Sequence, residues 1–376
     1  SRGLGDVYKR QVMFNGVTFF GIVHQSGGCG PELLGAIDLL QSKGVAVRCI
    51  THAGDRVAYG DRSKYLKSRG VEVSEYTPGA FSQCKVVVSF CEGDMFKYIL
   101  QNCDRPLWTV WSGAMSWALD KEVSAHAEGL IDETFFYTER VAKKVLADIS
   151  IRTGKTPYYR SGYLAHINPS SDYAQYMAHI NKCSSEFWVF KATRNDSQKW
   201  HPYHWRMCAA VTAPLEKKIH FEVVGWGDAA KKRVGDPCDP SSQWSNRFNL
   251  NIHGHIVNPV TMAQLYGKSH VLLHYYPFIE SFGFATLQAM LAKCVPVGAA
   301  EGGFLDLIRH GDTGYLARCP EEAAYYTSKL AFEDATWRKM SEAAAKWVVE
   351  EGPGNPDKCW PWWEELLKSR EISFIG

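Results

Sequence analysis

Residues 17–50 read VTFFGIVHQSGGCGPELLGAIDLLQSKGVAVRCI. Residues 17–23 form an unbroken apolar run of strand length. Ser26-Gly-Gly-Cys-Gly30 then turns the chain. Pro31 and Glu32 open a stretch with Leu33, Leu34, Ile37 and Leu40 at helical spacing. A proline at the first helical position has no N–H to leave unpaired, and an acid there suits the positive helix start. Gly44 ends the helix, and residues 45–50 make a second apolar strand. A helix between two strands is a crossover connection, so the strands are parallel.

The same cycle recurs outward from this stretch. Residues 71–73, 85–90, 107–111 and 133–138 read as strands, each followed by a loop or helix. A polar segment at 165–185 carries Asn168-Pro-Ser-Ser171, and the cycle then restarts. Residues 187–190, 219–224, 250–253, 271–274 and 295–298 are its strands. Alternating strands and helices predict an α/β fold of two Rossmann-like domains facing across a cleft. The expected N-terminal domain spans 12–170 and the C-terminal domain 185–350. Residues 238–248 read as a surface loop and 337–349 as a helix. Past Pro353-Gly-Asn-Pro356, a last helix carries Trp360, Trp362 and Trp363, and 356–376 is expected to pack back on the N-terminal domain. Residues 1–11 are polar, precede Met13 and read as a non-native leader outside the fold.

Composition narrows the function classes. At 376 residues, 45% apolar and 22% charged, the chain can bury ordinary globular cores. A net charge of +2 excludes a protein that coats nucleic acid. No apolar run is long enough to span a membrane, and no secretory leader is visible, so a cytoplasmic location is expected. Eleven cysteines without tight pairing read as reduced thiols.

The densest chemistry lies at 276–316. Glu280 falls just past the strand at 271–274, at the edge where α/β folds place ligands. Ser281-Phe-Gly283 opens a helix with Leu287, Met290 and Leu291 on one face. The unpaired N–H groups of such a start suit an anion. Beside a phosphate, Glu280 would meet a neutral hydroxyl of the ligand. Gln288 lies eight positions on, about two turns along the same helix. Glu301-Gly-Gly303 is a tight turn into another helix, where glycine permits close backbone approach.

Other candidates have structural alternatives beside the functional ones. His201 with His204, and His253 with His255, lack cysteine or carboxylate partners at ligand spacing, so no metal is expected. His24 is either a base at the end of the first strand or a backbone-bonded histidine. Cys29 sits before a helix, but nothing fixes a paired histidine. Glu92 and Asp94 either meet acceptor hydroxyls or simply begin a helix. Lys143-Lys144 and Lys231-Lys-Arg233 read as solvated faces.

Together, Glu280-Ser-Phe-Gly283, Gln288-Ala-Met290, Pro296-Val297, Gly302-Gly303 and Gly311-Asp-Thr-Gly-Tyr-Leu316 resemble the signature of the GT-B glycosyltransferases, group 1 (family 4). Phe190-Lys-Ala-Thr-Arg194 followed by Lys199 resembles that family's diphosphate-binding Arg and Lys. Val224-Gly-Trp-Gly-Asp228 is similar to its glycine-rich strand end, and His253-Gly-His-Ile256 to its nucleobase turn. Gly27-Gly-Cys-Gly30 resembles its N-terminal glycine loop, and Tyr137-Thr-Glu-Arg140 its late N-domain strand and helix.

The resemblance implies a retaining, metal-independent, hexosyltransferase-like enzyme. It would move a sugar from a UDP- or GDP-type donor to a glycan, lipid or small-molecule hydroxyl, with no tightly bound cofactor. Contact with a membrane surface is a second partner class. Arg194 and Lys199 would clamp the diphosphate, and Glu280 would touch the sugar. Phe282 and Gly283 would cap a phosphate beside Ser281, and Gln288 would hold the ribose. Gly225, His255 and Ile256 would meet the nucleotide, and Gly27 and Gly28 would close over the diphosphate. No Asp-x-Asp stretch for a metal-bound diphosphate occurs. Two departures stand out. The family's second glutamate is Gln288, and no histidine follows the strand at 107–111. They motivate an alternative, a catalytically degenerate nucleotide-sugar-binding or scaffold protein. A third reading is an epimerase on the same architecture.

Overall fold

The computed structural model describes residues 13–21, 29–52, 61–90, 94–112, 120–164, 185–212, 217–256 and 259–375. Two units divide them, Ser1–His166 with Cys359–Gly376, and Ile167–Lys358.

In the first unit the apolar runs become β1 (Phe14–Gly21), β2 (Ala46–Thr51), β3 (Glu72–Glu75), β4 (Cys84–Phe90), β5 (Trp108–Ser112), β6 (Glu133–Phe136) and β7 (Tyr159–Ser161). Helices α1 (Cys29–Ser42), α2 (Asp61–Ser68), α3 (Asp94–Asn102), α4 (Asp120–Ala127) and α5 (Glu139–Thr153) lie between them in sequence. The sheet order is β3-β2-β1-β4-β5-β6-β7, with every pairing parallel. Strands this apolar are stable only when both faces are covered. Helix α1 begins at Cys29, so Pro31 sits inside its first turn rather than at its first position. Helix α5 is closed at both ends. Thr138 accepts a hydrogen bond from the Val141 N–H, and Gly154 ends the helix in the left-handed region.

The second unit repeats the plan. Strands β8 (Glu186–Ala192), β9 (Lys218–Val224), β10 (Asn249–His253), β11 (Val271–His274), β12 (Val295–Ala299) and β13 (Tyr315–Ala317) take the order β10-β9-β8-β11-β12-β13, again parallel throughout. A 3₁₀ turn (Ser197–Lys199) precedes α6 (His204–Thr212), followed in sequence by α7 (Asp228–Val234), α8 (Pro259–Lys268), α9 (Phe284–Leu291), α10 (Phe304–Leu307), α11 (Pro320–Phe332) and α12 (Asp334–Glu350). Alternation along β8 sends Phe187 and Val189 into a core with Trp200, Trp205 and Met207. Phe190 and Ala192 enter another core with Tyr266 and Ala289.

Helix α13 (Pro356–Ser369) supplies the first unit's last covering layer. The Trp362 ring lies 4.7 Å from Phe135, and the Trp363 ring 6.0 Å from Phe19. Trp363 Nε1 donates to the Leu164 carbonyl at 2.6 Å. Glu133, buried at the start of β6, accepts from Trp362 Nε1 at 3.2 Å, Trp108 Nε1 at 3.2 Å and Arg160 Nε at 2.5 Å. Beyond the helix, the Ile375 N–H donates to the Lys43 carbonyl at 2.7 Å.

The thiols of Cys49, Cys84, Cys208, Cys294 and Cys359 are buried and unbridged. No described helix is long and apolar enough to cross a membrane.

Candidate active site at the strand-order reversal of the second unit

In the second sheet, the chain moves outward from β8 in one direction and from β11 in the other. Ligands of open α/β sheets bind at this reversal, beyond the carboxyl ends of the strands. Two loops leave there. One follows β8 and carries Arg194 and Lys199; the other follows β11 and carries Tyr276 and Glu280.

These loops meet through Glu280. Lys199 Nζ lies 2.6 Å from Glu280 Oε2, and the Tyr276 hydroxyl donates to the same oxygen at 2.6 Å. Oε1 accepts no hydrogen bond among the described residues. The Glu280 side chain is 19% exposed, so Oε1 can face a ligand hydroxyl. Burial alone would raise the Glu280 pKa. The Lys199 charge and hydrogen bond, with the Tyr276 hydroxyl, outweigh it and hold the carboxyl below its ordinary range. Burial, then the Glu280 charge, pushes the Tyr276 phenol well up, so it remains a donor.

The backbone of Glu280 is set by the turn after β12. The Gly303 N–H donates to the Glu280 carbonyl at 2.7 Å. Gly302 has φ +58°, and a Cβ there would lie 2.5 Å from that carbonyl oxygen. The two glycines thus let one loop rest directly on the other.

Arg194 leaves β8 into solvent. Its side chain is 57% exposed, with a loose 3.9 Å approach to Asp196. The fork is therefore available to an anion. Lys199 is held from below, with its Nζ 3.9 Å from the Phe278 ring centre. Beside it, Ser197, Gln198, Arg233, Pro277 and Phe278 line a surface depression. Helix α9 begins after Gly283, which takes a left-handed conformation, and no side chain caps its first turn. Ser281 and Phe282 precede it and are buried.

The remaining sequence candidates lie as follows. Gln288 is buried on α9, and among the described residues its side chain makes no hydrogen bond to Glu280, Lys199 or Tyr276. Gly225, at the end of β9, has φ +82°, and its N–H donates to the Gly254 carbonyl at 3.0 Å. His255 is exposed in the loop after β10, and Ile256 packs partly on the Phe190 core. Gly27, Gly28, His24 and Glu92 lie outside the described residues. Asp94 begins α3 and pairs with Lys121 at 2.9 Å. His204 is buried against Trp200, and His201 Nδ1 accepts from the Tyr203 N–H. His253 is bound to buried Glu222 at 2.7 Å, along with Asn251 and Lys268. Among the described residues no group of three His, Cys, Asp or Glu side chains could hold a metal.

Two site residues escape a motif reading. Tyr276 sits at the edge of the signature without belonging to it. Lys191 stands inside β8 and is only 2% exposed. Its signal is available in the sequence, as a lysine inside an apolar parallel strand.

Residues 190–331 match the family model described as Glycosyl transferases group 1. The matched stretch lies within the second unit and holds Arg194, Lys199 and Glu280. Over 74 residues the chain is 35% identical to N-acetyl-alpha-D-glucosaminyl L-malate synthase of Bacillus anthracis. That stretch covers 19% of this chain and 19% of that relative. Among solved structures, Anabaena HepE in complex with UDP-glucose aligns over 94% of this chain and 99% of its own, with TM-score 0.67 and 14% identity. Sucrose-phosphate synthase from Thermosynechococcus elongatus aligns over 94% and 99%, with TM-score 0.63 and 14% identity. A glycosyltransferase from Rickettsia africae aligns over 94% and 98%, with TM-score 0.65 and 14% identity. The shared fold is GT-B, two doubly wound α/β units in one chain.

Proposed function

We propose that this chain is a retaining, metal-independent glycosyltransferase of hexosyltransferase type. It moves a sugar from a nucleoside diphosphate sugar, of UDP or GDP type, to an acceptor hydroxyl. The single observation that carries the reading is the Lys199–Glu280 pair at the β8/β11 reversal, with the exposed Arg194 beside it. The bond between the anomeric carbon and the diphosphate oxygen breaks, leaving negative charge on the diphosphate. Arg194, Lys199 and the uncapped start of α9 supply compensating positive charge. Glu280, kept ionised, presents Oε1 to a sugar hydroxyl. The acceptor oxygen forms the new bond, and its proton leaves with the departing diphosphate or to solvent. Gly225, His255 and Ile256 are assigned to the nucleotide, and Gln288 to the ribose. The acceptor is a glycan, lipid or small-molecule hydroxyl, and the setting is cytoplasmic.

The test is titration calorimetry with UDP, GDP and their sugar esters, followed by product analysis with and without a chelator. Binding, donor turnover insensitive to chelator and a product of unchanged anomeric configuration are expected. No binding across the panel would refute the reading. Replacing Arg194 with alanine should weaken UDP binding by about tenfold or more, as loss of a charge-assisted hydrogen bond implies. Equal affinity in that variant would remove Arg194 from the site. A second reading, a nucleotide-sugar-binding protein without turnover, is favoured by Gln288, an amide where the resembled family has a carboxylate. Binding with neither hydrolysis nor transfer would select it.

A further inference from the structure

Among the described residues, Lys191 is the one buried amine near the site that the transfer chemistry leaves unused. Alternation along β8 sends it, after Phe187 and Val189, toward the face covered by α6. Its Nζ has no hydrogen-bond partner among the described residues. The amine lies 4.4 Å from the Tyr276 ring centre and 5.4 Å from that of Trp200. Tyr276 is the residue whose hydroxyl holds Glu280. Lys191 therefore touches the site through one aromatic ring.

The charges around it are unevenly matched. Lys199 comes from the 3₁₀ turn, His204 and Cys208 from α6, and His274 from β11. Tyr276 and Glu280 come from the following loop, and His201 from the loop before α6. Burial lowers the pKa of both His204 and His274, and the neighbouring lysine lowers them further. Burial raises the Cys208 thiol and the Tyr276 phenol. His201 is lowered by burial and then by Arg233. Glu280 is the single ionised acid in the group, and Lys199 already occupies it. Burial first, then repulsion from Lys199, pushes Lys191 down to about 7. Lys191 is thereby held near neutrality, beside the ring that carries the Glu280 hydrogen bond.

We propose that Lys191 is a proton-coupled positioning residue, whose amine takes a proton from solvent when a nucleoside diphosphate settles at Lys199 and Arg194 and returns it when the ligand leaves. This rests on the donor-site reading above. A bound diphosphate offsets the repulsion between the two lysines and favours the ammonium form. An ammonium over the phenol face is held by the ring quadrupole and strengthens the hydroxyl as a donor. Ligand binding would thereby tighten the Tyr276 grip on Glu280.

The experiment is calorimetry of UDP-glucose binding between about pH 7 and about pH 9, in buffers of different ionisation enthalpy. The diphosphate diester holds its charge constant over that range, and the uracil N–H, which titrates only toward its top, contributes equally in every variant, so uptake that differs between wild type and Lys191→Met belongs to Lys191. The wild type should take up as much as about one proton per ligand, with affinity falling up to about tenfold per pH unit. Lys191→Met should bind without uptake and with affinity flat in pH. Lys191→Arg, a fixed cation, should be flat as well. Binding by the wild type without proton uptake would overturn the coupling alone, whatever the variants do. Uptake unchanged in Lys191→Met would also overturn it. Failure of UDP, GDP and their sugar esters to bind would overturn the donor reading and the coupling with it.

Discussion

A single lysine makes the second unit's stability depend on pH. The folded state depresses Lys191 to about 7, whereas an unfolded chain keeps it near 10.5. Between those values the unfolded state binds more protons, so stability rises with pH and is lost as pH falls toward neutrality. The slope approaches about 1.4 kcal/mol per pH unit where the difference is complete. Lys191→Met keeps the shape of the chain and removes the charge. Urea unfolding across this range should give a higher midpoint near pH 7 and a flatter profile than wild type. Glu280→Gln is the complementary change. It removes the charge that Lys199 pairs with while keeping an acceptor for Tyr276. Donor turnover should fall by at least about a hundredfold, with the fold intact by circular dichroism. At this scale the sequence is uneven to read. Glu280 stands out because it falls just past a strand end before the Ser281-Phe-Gly283 helix start, and Arg194 and Lys199 stand out through the resemblance of Phe190-Lys-Ala-Thr-Arg194 to a family motif. Tyr276 and Lys191 do not, because Tyr276 acts through its hydrogen bond to Glu280 and Lys191 through its packing on the Tyr276 ring, contacts that no residue spacing displays.

Among elements, the glycine at the end of β9 is a sensitive joint. Gly225 has φ +82°, and a Cβ there would meet the Thr193 carbonyl oxygen at 1.8 Å. Both strain and overlap oppose any side chain. Gly225→Ala should destabilise by more than about 3 kcal/mol, measured by urea unfolding. The same change displaces the loop carrying Arg194, so UDP affinity should fall with it. Asn195, in that loop, accepts from the Ala229 N–H at 3.1 Å and so caps α7. The strands of both sheets were legible because residues buried on two faces form continuous apolar runs. Strands β7 and β13 were not. Each has three residues at a sheet edge, too short to show a period. Helix α10 is legible from the Glu301-Gly-Gly303 turn that leads into it, although its four residues cannot display a helical face.

For the whole molecule, the decisive feature is that the first unit contains both an early and a final part of the chain. Glu133 gathers Trp108, Trp362 and Arg160, joining β5, β6, the edge strand and α13. Glu133→Ala leaves two indole N–H groups and a partly buried guanidinium without that carboxylate. The loss should be about 3 kcal/mol or more, confined to the first unit. Calorimetry should show one thermal transition shifting down while the transition of the second unit stays in place. Equal shifts in both would contradict the assignment. Helix α13 also orders events during synthesis. Ile167–Lys358 leaves the ribosome with every strand of its own sheet present, while the first unit still lacks the layer over Phe19 and Phe135. Domains commonly fold from the N-terminus as they emerge. Here the part made first is completed last, and it must wait through the translation of its neighbour with an apolar sheet face uncovered.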